Sequence, residues 1–392
     1  MIDEKSALAS FMLKGRQDHR QPYKRTKHML IDTTLREGAQ LFGAYFSMEA
    51  RERIVSGLLS IGVDEIELGW VGQEGLDELI HRIGKRRGRT ALSVWSPCRE
   101  ADIRKASGLK VDRINIGVPV SDLHIENRLR TDREGLLERL ARTVLAARLL
   151  GMDYVSVGLE DLSRADTDFA LKAAGLAQDV GAARVRLSDS LGLLTPMKTA
   201  ELVAAFQRKL DIDLAVHCHD DFGMATANAV TALSSGADYA DGSVLGIGER
   251  SGIAATEELA TYLTLKEESH AYKVEDLRGL CHFVSQAAGV PIPRTKAIAG
   301  KDIFACESGL HAHALSKSPE LFEPFDPGRI GADRMVAVGG KSGRAAVAHA
   351  LADRGLELPE QGLPALVDEV RKLAWELERP LTDKELTKLV KN

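Results

Sequence analysis

The sequence predicts an α/β protein: a (β/α)8 TIM barrel followed by a C-terminal, mostly helical appendage. Short apolar runs rich in β-branched residues recur from residue 28 to about residue 245, and stretches with helical spacing separate them. This rhythm stops at about residue 275, where prolines and glycines become frequent. The chain of 392 residues has room for a barrel of roughly 250 residues and an appendage. A doubly wound open sheet is the second choice.

The predicted strands are apolar without strict alternation, as expected where a parallel sheet is covered on both faces. They are His28–Thr33, Glu65–Trp70, Ala91–Trp95, Arg113–Val118, Tyr154–Gly158, Arg184–Leu187, Asp213–His219 and Tyr239–Leu245.

The stretches between these strands have apolar residues at helical spacing. They are Met48–Ile61, Arg133–Leu150, Asp166–Val180, Pro196–Leu210, Ala225–Ser235 and Thr256–Leu265. Four of them are followed closely by a glycine, as helices commonly are at their C-terminal ends. These glycines are Gly62, Gly151, Gly181 and Gly236.

Three regions follow from this pattern. Residues 1–27 lack periodicity and carry several Lys and Arg residues, which indicates an N-terminal arm that is solvated and packs on a neighbour, or else binds an anion or a partner. We expect residues 28–275 to form the barrel, with any catalytic site at its mouth. Residues 276–392 form the helical appendage, with predicted helices at Ala345–Arg354, Leu363–Leu377 and Asp383–Lys391.

Composition excludes several classes of protein. Hydrophobic residues make up 44% and charged residues 28% of the chain, which is typical of a globular protein and not of a disordered one. The net charge of −5 gives no basic excess for nucleic-acid binding. Four scattered cysteines indicate a reducing cytoplasm, and no apolar run is long enough to span a membrane.

The sharpest local signal is His217-Cys218-His219 at the end of the seventh predicted strand. Residues i and i+2 of a strand point to the same face, so both imidazoles would face the barrel mouth, and Cys218 would face the other way. Glu37 follows the first strand, which lies near the seventh and eighth in a closed barrel. We therefore predict a divalent-metal site at Glu37, His217 and His219, although an HxH pair also occurs as core histidines.

Two further loops carry polar residues at strand ends. Arg36 is suited to clamp a carboxylate or polarise a keto oxygen, or else forms a structural ion pair. The segment Gly246–Gly252 follows the eighth strand, and its glycines are compatible with a loop or a phosphate cradle.

Three motifs occur in the order found in one known superfamily. Asp32-Thr-Thr-Leu-Arg-Glu-Gly38, His217-Cys-His-Asp-Asp-Phe-Gly223 and Gly246-Ile-Gly-Glu-Arg250 resemble the signatures of the DRE-TIM metallolyases. The later Glu307-Ser-Gly-Leu-His311 resembles an element of the synthase branch. Within it the chain is most similar to the homocitrate and 2-isopropylmalate synthases, above all the nitrogenase-associated homocitrate synthases, which Glu160-Asp-Leu-Ser-Arg-Ala-Asp166 matches.

The resemblance implies a Claisen-type condensation of acetyl-CoA with a 2-keto acid, 2-oxoglutarate being favoured, followed by thioester hydrolysis. It implies Arg36, Glu160 and His311 as catalytic residues, with His311 as the general acid/base supported by Glu160 and acting across a homodimer. It implies Arg36, Gln40 and Ser190 as substrate-binding residues. The divalent ion is Mg²⁺, Mn²⁺ or Zn²⁺.

Other members of the superfamily stay open as alternatives: Re-citrate, citramalate, isopropylmalate and phosphonomethylmalate synthases, and with less support a carbon–carbon lyase. The lyases have a cysteine in the loop after the eighth strand, where this chain has Glu249-Arg250. Regulated isopropylmalate synthases carry an extra C-terminal domain, and after the appendage this chain has no room for one before Asn392.

Several positions depart from the family pattern. Ala39 replaces a Glu, Trp70 stands where a Pro is usual, and Ile253 replaces an Asn. Phe322 replaces a Tyr expected shortly after His311, or else the alignment slips there and Phe322 is a core residue. Gly339-Gly-Lys-Ser-Gly343 lacks a usual His.

Overall fold

The computed structural model describes residues 28–268, 272–307 and 318–391, so the predicted N-terminal arm lies outside the described residues. The chain divides between Ile292 and Pro293 into two compact units. The sequence placed this boundary at residues 275/276, before a helix that belongs to the first unit, α10 at Leu277–Ala288. That helix has the apolar face of Leu277, Leu280 and Val284, all buried.

Eight parallel strands close into a barrel in chain order, with the first strand paired to both the second and the eighth. The predicted barrel is therefore confirmed. The strands are β1 Met29–Asp32, β2 Glu65–Trp70, β3 Ala91–Pro97, β4 Arg113–Pro119, β5 Tyr154–Glu160, β6 Arg184–Asp189, β7 Asp213–Cys218 and β8 Tyr239–Gly242.

Helices connect the strands around the barrel. They are α1 Met48–Ile61, α2 Leu76–Ile83, α3 Glu100–Ala106, α4 Asp122–Asn127, α5 Arg133–Leu149, α6 Thr167–Asp179, α7 Pro196–Lys209, α8 Ala225–Ser234, α9 Thr256–Leu265 and α10. The side chains of Ser47, Asp132, Asp166 and Thr195 accept a backbone N–H at the start of α1, α5, α6 and α7. These side chains fix the first turns of four helices whose predicted starts agree with the structure to within one residue.

The structure corrects some predicted boundaries. Strand β8 ends at Gly242 instead of Leu245, because the chain turns there and Leu245 adopts a left-handed conformation with φ of 62°. Strand β7 ends at Cys218, and His219 forms an isolated bridge to Ile253. The sequence did not identify α2, α3 and α4, since helices of 8, 7 and 6 residues carry little periodic signal.

The barrel interior includes two layers of mainly polar side chains that come from alternate strands, as in the interior layers of other TIM barrels. Each of β2, β4, β6 and β8 contributes one residue to each layer, two positions apart. The lower polar layer, toward the amino ends of the strands, consists of Glu65, Arg113, Arg184 and Tyr239. The upper polar layer, toward the carboxyl ends, consists of Glu67, Asn115, Arg186 and Asp241.

Among its described residues, the second unit contains a short parallel pair, β9 Ala305–Cys306 and β10 Met335–Val336, and three α-helices. The helices are α11 Arg344–Asp353, α12 Leu363–Leu377 and α13 Asp383–Lys391. Their apolar faces form a core around Val347, Val370 and Leu386. In the described part of the chain, none of the helices has the length and apolar character needed to cross a membrane.

Candidate active site

The carboxyl ends of the barrel strands surround a cavity of about 280 Å³. This is the end of a TIM barrel at which active sites are found. Its lining is mostly polar and includes Arg36, Glu37, Gln40, Trp95, Asn115, Gly117, His124, Arg128, Gly158, Glu160, Arg186, Ser188, Ser190, His217, His219 and Arg250.

Three buried side chains at this mouth converge on one point. His217 Nε2 lies 3.8 Å from Glu37 Oε2, and His219 Nε2 lies 3.9 Å from Glu37 Oε1. These distances are too long for hydrogen bonds. They leave room for an ion bound at about 2.0–2.2 Å to each ligand. The ligand atoms of the three residues lie within 4.8 Å of one another.

The ring of His217 is fixed by a carboxylate behind it. Its Nδ1–H donates to Asp241 Oδ2 at 2.8 Å, which leaves the Nε2 lone pair facing Glu37. Burial, followed by the neighbouring His217, lowers the pKa of His219 to about 3, so that this imidazole is neutral at pH 7. Imidazole nitrogens and an ionised carboxylate are the donor set that a divalent ion requires, and the residues fit a metal.

Glu37 is held in its ionised form. Burial by itself would raise the pKa of Glu37, but Arg36, His217 and His219 outweigh burial and lower it to about 2. The backbone N–H of Glu249 donates to Glu37 Oε1 at 3.3 Å. Gly248 permits this approach, since a Cβ there would lie 3.1 Å from Glu37 Cγ.

Arg36 lines the cavity and forms ion pairs as well. Its Nε donates to Glu67 Oε2 at 2.5 Å, and its Nη1 donates to Glu37 Oε2. Arg36 thus forms the structural ion pairs that the sequence left open as one alternative, and its guanidinium also lines the cavity next to the three converging residues, where its role toward a substrate stays a prediction.

The other predicted site residues lie on the same wall or rim. The Glu160 carboxylate lines the cavity and accepts from Arg128 Nη1 at 2.7 Å. The Ser190 hydroxyl oxygen accepts from the backbone N–H of Asp161 at 2.9 Å. Gln40 is exposed at the rim. These positions are compatible with substrate binding.

Other predicted positions have different outcomes. His311 lies outside the described residues. Phe322 is 48% exposed, which contradicts the alternative that it is a buried core residue. Trp70 is absent from the cavity lining among the described residues, and Trp95 of the neighbouring strand contributes an indole instead. Ile253 is buried, with its backbone bridged to His219.

The loop after β8 forms hydrogen bonds to residues that follow β1, β6 and β7. Arg250 Nε donates to Asp221 Oδ1 at 2.8 Å, and its Nη2 donates to the Ser190 carbonyl at 2.7 Å. This segment therefore forms the rim of the site and holds Glu37 in place, in agreement with its prediction as a loop.

The sequence did not assign Asp241 and Arg186 to the site. Both lie inside strands, two residues beyond a polar residue of the lower layer. A pattern of polar residues at i and i+2 on every second strand was the signal that would have found them.

The carboxylate-imidazole cluster and the barrel have known counterparts. The family model described as HMGL-like matches residues 27–284, and the model described as homocitrate synthase post-HMGL domain-like matches residues 298–378. The chain belongs to the DRE-TIM synthase family. It is therefore an enzyme, an acyltransferase of the type that these synthases represent.

Curated relatives of this synthase cover nearly its whole length. It is 37% identical to 2-isopropylmalate synthase 2 of Caldanaerobacter subterraneus, over 91% of this chain and 93% of that protein. It is 36% identical to homocitrate synthase 1 of a Nostoc species, over 93% and 97%. It is 35% identical to the 2-phosphonomethylmalate synthase of Streptomyces rubellomurinus, over 92% and 97%.

Solved structures resemble the barrel. A hydroxymethylglutaryl-CoA lyase from Pseudomonas aeruginosa superposes with a TM-score of 0.60 at 22% identity, over 67% of this chain and 94% of that chain. At this identity the likeness shows the fold alone.

Proposed function

We propose that this synthase condenses acetyl-CoA with a 2-keto acid, 2-oxoglutarate being favoured, in a metal-dependent Claisen reaction. The observation that carries the proposal is the cluster of Glu37, His217 and His219, set beside Arg36 at the mouth of the barrel. In the reaction the acetyl methyl group loses a proton, and its carbon forms a bond to the keto carbon. The keto oxygen gains a proton, and water then cleaves the thioester to release CoA and a tertiary 2-hydroxy acid.

Glu37, His217 and His219 would hold the divalent ion, Mg²⁺, Mn²⁺ or Zn²⁺. When bound, such an ion supplies Lewis-acid polarisation of the keto group. Asp241 keeps His217 in the tautomer that this role requires, through the 2.8 Å hydrogen bond to Nδ1.

Arg36 stabilises the negative charge that develops on the keto oxygen. Its guanidinium is fixed in advance by Glu37 and Glu67, so that little reorganisation is needed when charge develops. Glu160 supports His311 as the acid/base group. Ser190 and Gln40 bind the substrate. We propose further that His311 acts in the partner subunit of a homodimer.

The choice of 2-oxoglutarate is supported by the chemistry of the cavity. Its lining carries guanidinium groups of Arg36, Arg128 and Arg186, together with Asn115 and Ser188. These groups favour an acidic side chain on the keto acid over the apolar branch that an isopropylmalate synthase requires. The relatives do not decide between these acids, since the isopropylmalate synthase of Caldanaerobacter and the homocitrate synthase of Nostoc are 37% and 36% identical to the chain, and the choice therefore depends on the cavity.

An assay of CoA release tests the proposal. The purified chain is supplied with acetyl-CoA and a panel of 2-keto acids, with and without a chelator. We expect turnover with 2-oxoglutarate that chelation abolishes. Turnover that persists after chelation would contradict the metal mechanism, and release of CoA with none of the acids would contradict the synthase activity.

The variant His217→Ala/His219→Ala examines the site itself. We expect loss of bound divalent metal by elemental analysis, loss of turnover and an unchanged far-UV spectrum. His349→Ala, at a partly exposed histidine of α11, is the matched control and should keep both metal and turnover. Equal metal content in the double variant and the wild type would refute the ligand assignment.

A further inference from the structure

Arg186 of the upper polar layer has unused hydrogen-bonding capacity. Its side chain is only 4% exposed, and it lines the cavity. Its Nη1 donates to Glu67 Oε1 at 3.2 Å, and its Nε lies 3.2 Å from Asp241 Oδ2. Yet neither Nε nor Nη2 has a hydrogen-bond partner among the residues that the structure describes. Buried guanidinium donors of this kind are costly unless a ligand or water completes them.

The space beside Arg186 is left open by a glycine of the neighbouring strand, Gly158. Gly117 of β4 and Gly158 of β5 are register partners, and both line the cavity. A Cβ at Gly158 would lie 4.0 Å from Arg186 Cδ and 3.9 Å from Ser188 Oγ. A Cβ at Gly117 would instead collide with Glu160 Oε1 and with the Trp95 indole, so that Gly117 lets these two side chains pack against β4. The absence of a side chain at Gly158 leaves a recess in the cavity wall, and Arg186 lies at its edge.

The charges around this recess are matched to an anion once the metal is counted. Five buried groups contact one another beside the candidate metal site: the acids Glu37, Glu67 and Asp241 and the bases Arg36 and Arg186. They sum to one negative charge, which a bound divalent ion would convert to one positive charge, and the rest of the cavity lining adds the acids Glu160, Asp161 and Glu249 and the bases Arg128 and Arg250. The lower polar layer adds two guanidinium groups against a single carboxylate. Once a divalent ion is bound, the buried groups beside the recess therefore carry a net positive charge, which favours an anion there.

Arg36 and Arg186 differ in which of their guanidinium nitrogens are already paired with carboxylates. Arg36 uses Nε and Nη1 for Glu67 and Glu37, next to the proposed metal ligands. Arg186 contacts the same Asp241 oxygen as His217 does, which places its guanidinium close behind that ligand and on the side of the recess. The two guanidinium groups thus flank the cavity, one at the keto end and one at the recess.

We propose that Arg186 binds the second carboxylate of a dicarboxylic 2-keto acid and so determines that the enzyme selects dicarboxylates over monocarboxylates. Nη2 donates to this carboxylate, and the Ser188 hydroxyl at the same wall assists. This inference rests on the proposed function, whose keto-acid site it refines. The rival role is a purely structural one, in which Arg186 only holds Asp241 behind His217.

The test compares wild type, Arg186→Gln and Arg186→Lys. The readout is the ratio of kcat/KM for 2-oxoglutarate to kcat/KM for 2-oxoisovalerate, measured with the metal content of each preparation. We expect Arg186→Gln to lower this ratio about 10²-fold, the equivalent of losing a charge-assisted contact, with KM for 2-oxoglutarate carrying most of the change. Arg186→Lys retains the charge without the planar fork and should fall between. Arg142→Gln, at an exposed arginine of α5, is the matched control.

Two outcomes overturn the inference. An unchanged ratio in Arg186→Gln, with both substrates reduced equally and metal content reduced, assigns Arg186 the structural role. A wild-type preference for 2-oxoisovalerate contradicts dicarboxylate selection directly.

Binding without turnover separates this inference from the proposed function. Calorimetric titration of Mg²⁺-supplied protein with 2-oxoglutarate, in the absence of acetyl-CoA, should show binding in the wild type that weakens about 10²-fold in Arg186→Gln. This result stands even if no keto acid supports CoA release, in which case only the synthase activity is refuted. Equal affinity in both proteins refutes the role of Arg186.

Gly158→Ala provides a second variant that should fold normally, because the added methyl group meets nothing closer than 3.8 Å. It narrows the recess beside Arg186 and should raise KM for 2-oxoglutarate more than KM for the shorter dicarboxylate oxaloacetate. Equal KM changes for the two acids would show that the recess does not hold the second carboxylate.

Discussion

The lower and upper polar layers of the barrel contain similar residue types but differ in how completely they are paired. In the lower layer, Arg184 donates to Glu65 through both Nη atoms at 2.7 and 3.0 Å, and its Nε donates to Ser156. In the upper layer, Arg186 Nε and Nη2 and Asp241 Oδ1 have no hydrogen-bond partner among the described residues. The lower layer is thus complete as a structural network, and the upper layer is open to a ligand.

The difference shows that the same arrangement of alternate strands serves two purposes: structural support in the lower layer and a surface that faces the cavity in the upper layer. Each of β2, β4, β6 and β8 contributes one residue to the lower layer and, two positions further along, one residue to the upper layer. The lower residue is surrounded by packed protein, and the upper residue lies next to the cavity. Asn115 joins the layers, since its Nδ2 donates to Glu67 at 2.6 Å and its Oδ1 accepts from Arg184 at 2.9 Å. The lower layer thereby supports the groups that face the substrate.

The largest expected effect comes from breaking the lower layer. Arg184→Gln leaves Glu65 buried with only Arg113 as its charged partner, and we expect a loss of about 3–5 kcal/mol in the free energy of unfolding. Urea denaturation measures this loss. Arg87→Gln, which removes an exposed ion pair with Asp112, should cost less than about 1 kcal/mol. Equal losses in the two variants would contradict a structural role for the lower layer.

The second prediction concerns Arg36, which lines the cavity next to the upper polar layer. Arg36→Lys retains a positive charge but loses the planar fork that contacts Glu37 and Glu67. We expect kcat to fall about 10²–10³-fold, as when a donor to a developing oxyanion is removed. A normal kcat with a raised KM would show instead that Arg36 only binds substrate.

Asp241 connects the upper layer to the metal site. Asp241→Asn weakens the acceptor for His217 Nδ1–H and removes a charge near Arg186. We expect metal affinity to fall about 10- to 100-fold, measured by competition with a chelator. Asp122→Asn, at an exposed ion pair with Arg133, serves as control. Unchanged affinity in Asp241→Asn would separate the upper layer from the metal site.

The smallest effect concerns the pH dependence of stability. Burial alone would raise the pKa of Glu65, but Arg184 and Arg113 outweigh it and hold this pKa well below its usual range. Because its folded-state pKa is depressed, Glu65 contributes stability above its unfolded pKa of about 4.3, and this contribution is lost as the pH falls further. Urea denaturation at a series of pH values from 7 to 3 should show this loss in the wild type but not in Glu65→Gln. Identical pH profiles would contradict it.

Much of the fold followed from local sequence. Eight apolar runs separated by helical stretches predicted the barrel, and glycines such as Gly62 and Gly181 marked helix ends. Short helices such as α3 and α4 were missed because the periodic signal needs several turns. The boundary after residue 275 was placed early because α10 follows a break in the rhythm and yet belongs to the first unit.

The sequence by itself determined the barrel, the family and the three converging residues, because each depends on short-range spacing: His217 and His219 share a strand face by their separation of two, and Glu37 follows a strand end. Tertiary structure alone decided which residues of the two polar layers contact each other. Arg186 meets Glu67 across 119 positions of chain, and Asp241 meets His217 across a strand boundary. Such contacts depend on barrel closure, which brings alternate strands to one level, and no local pattern records which partners face each other there.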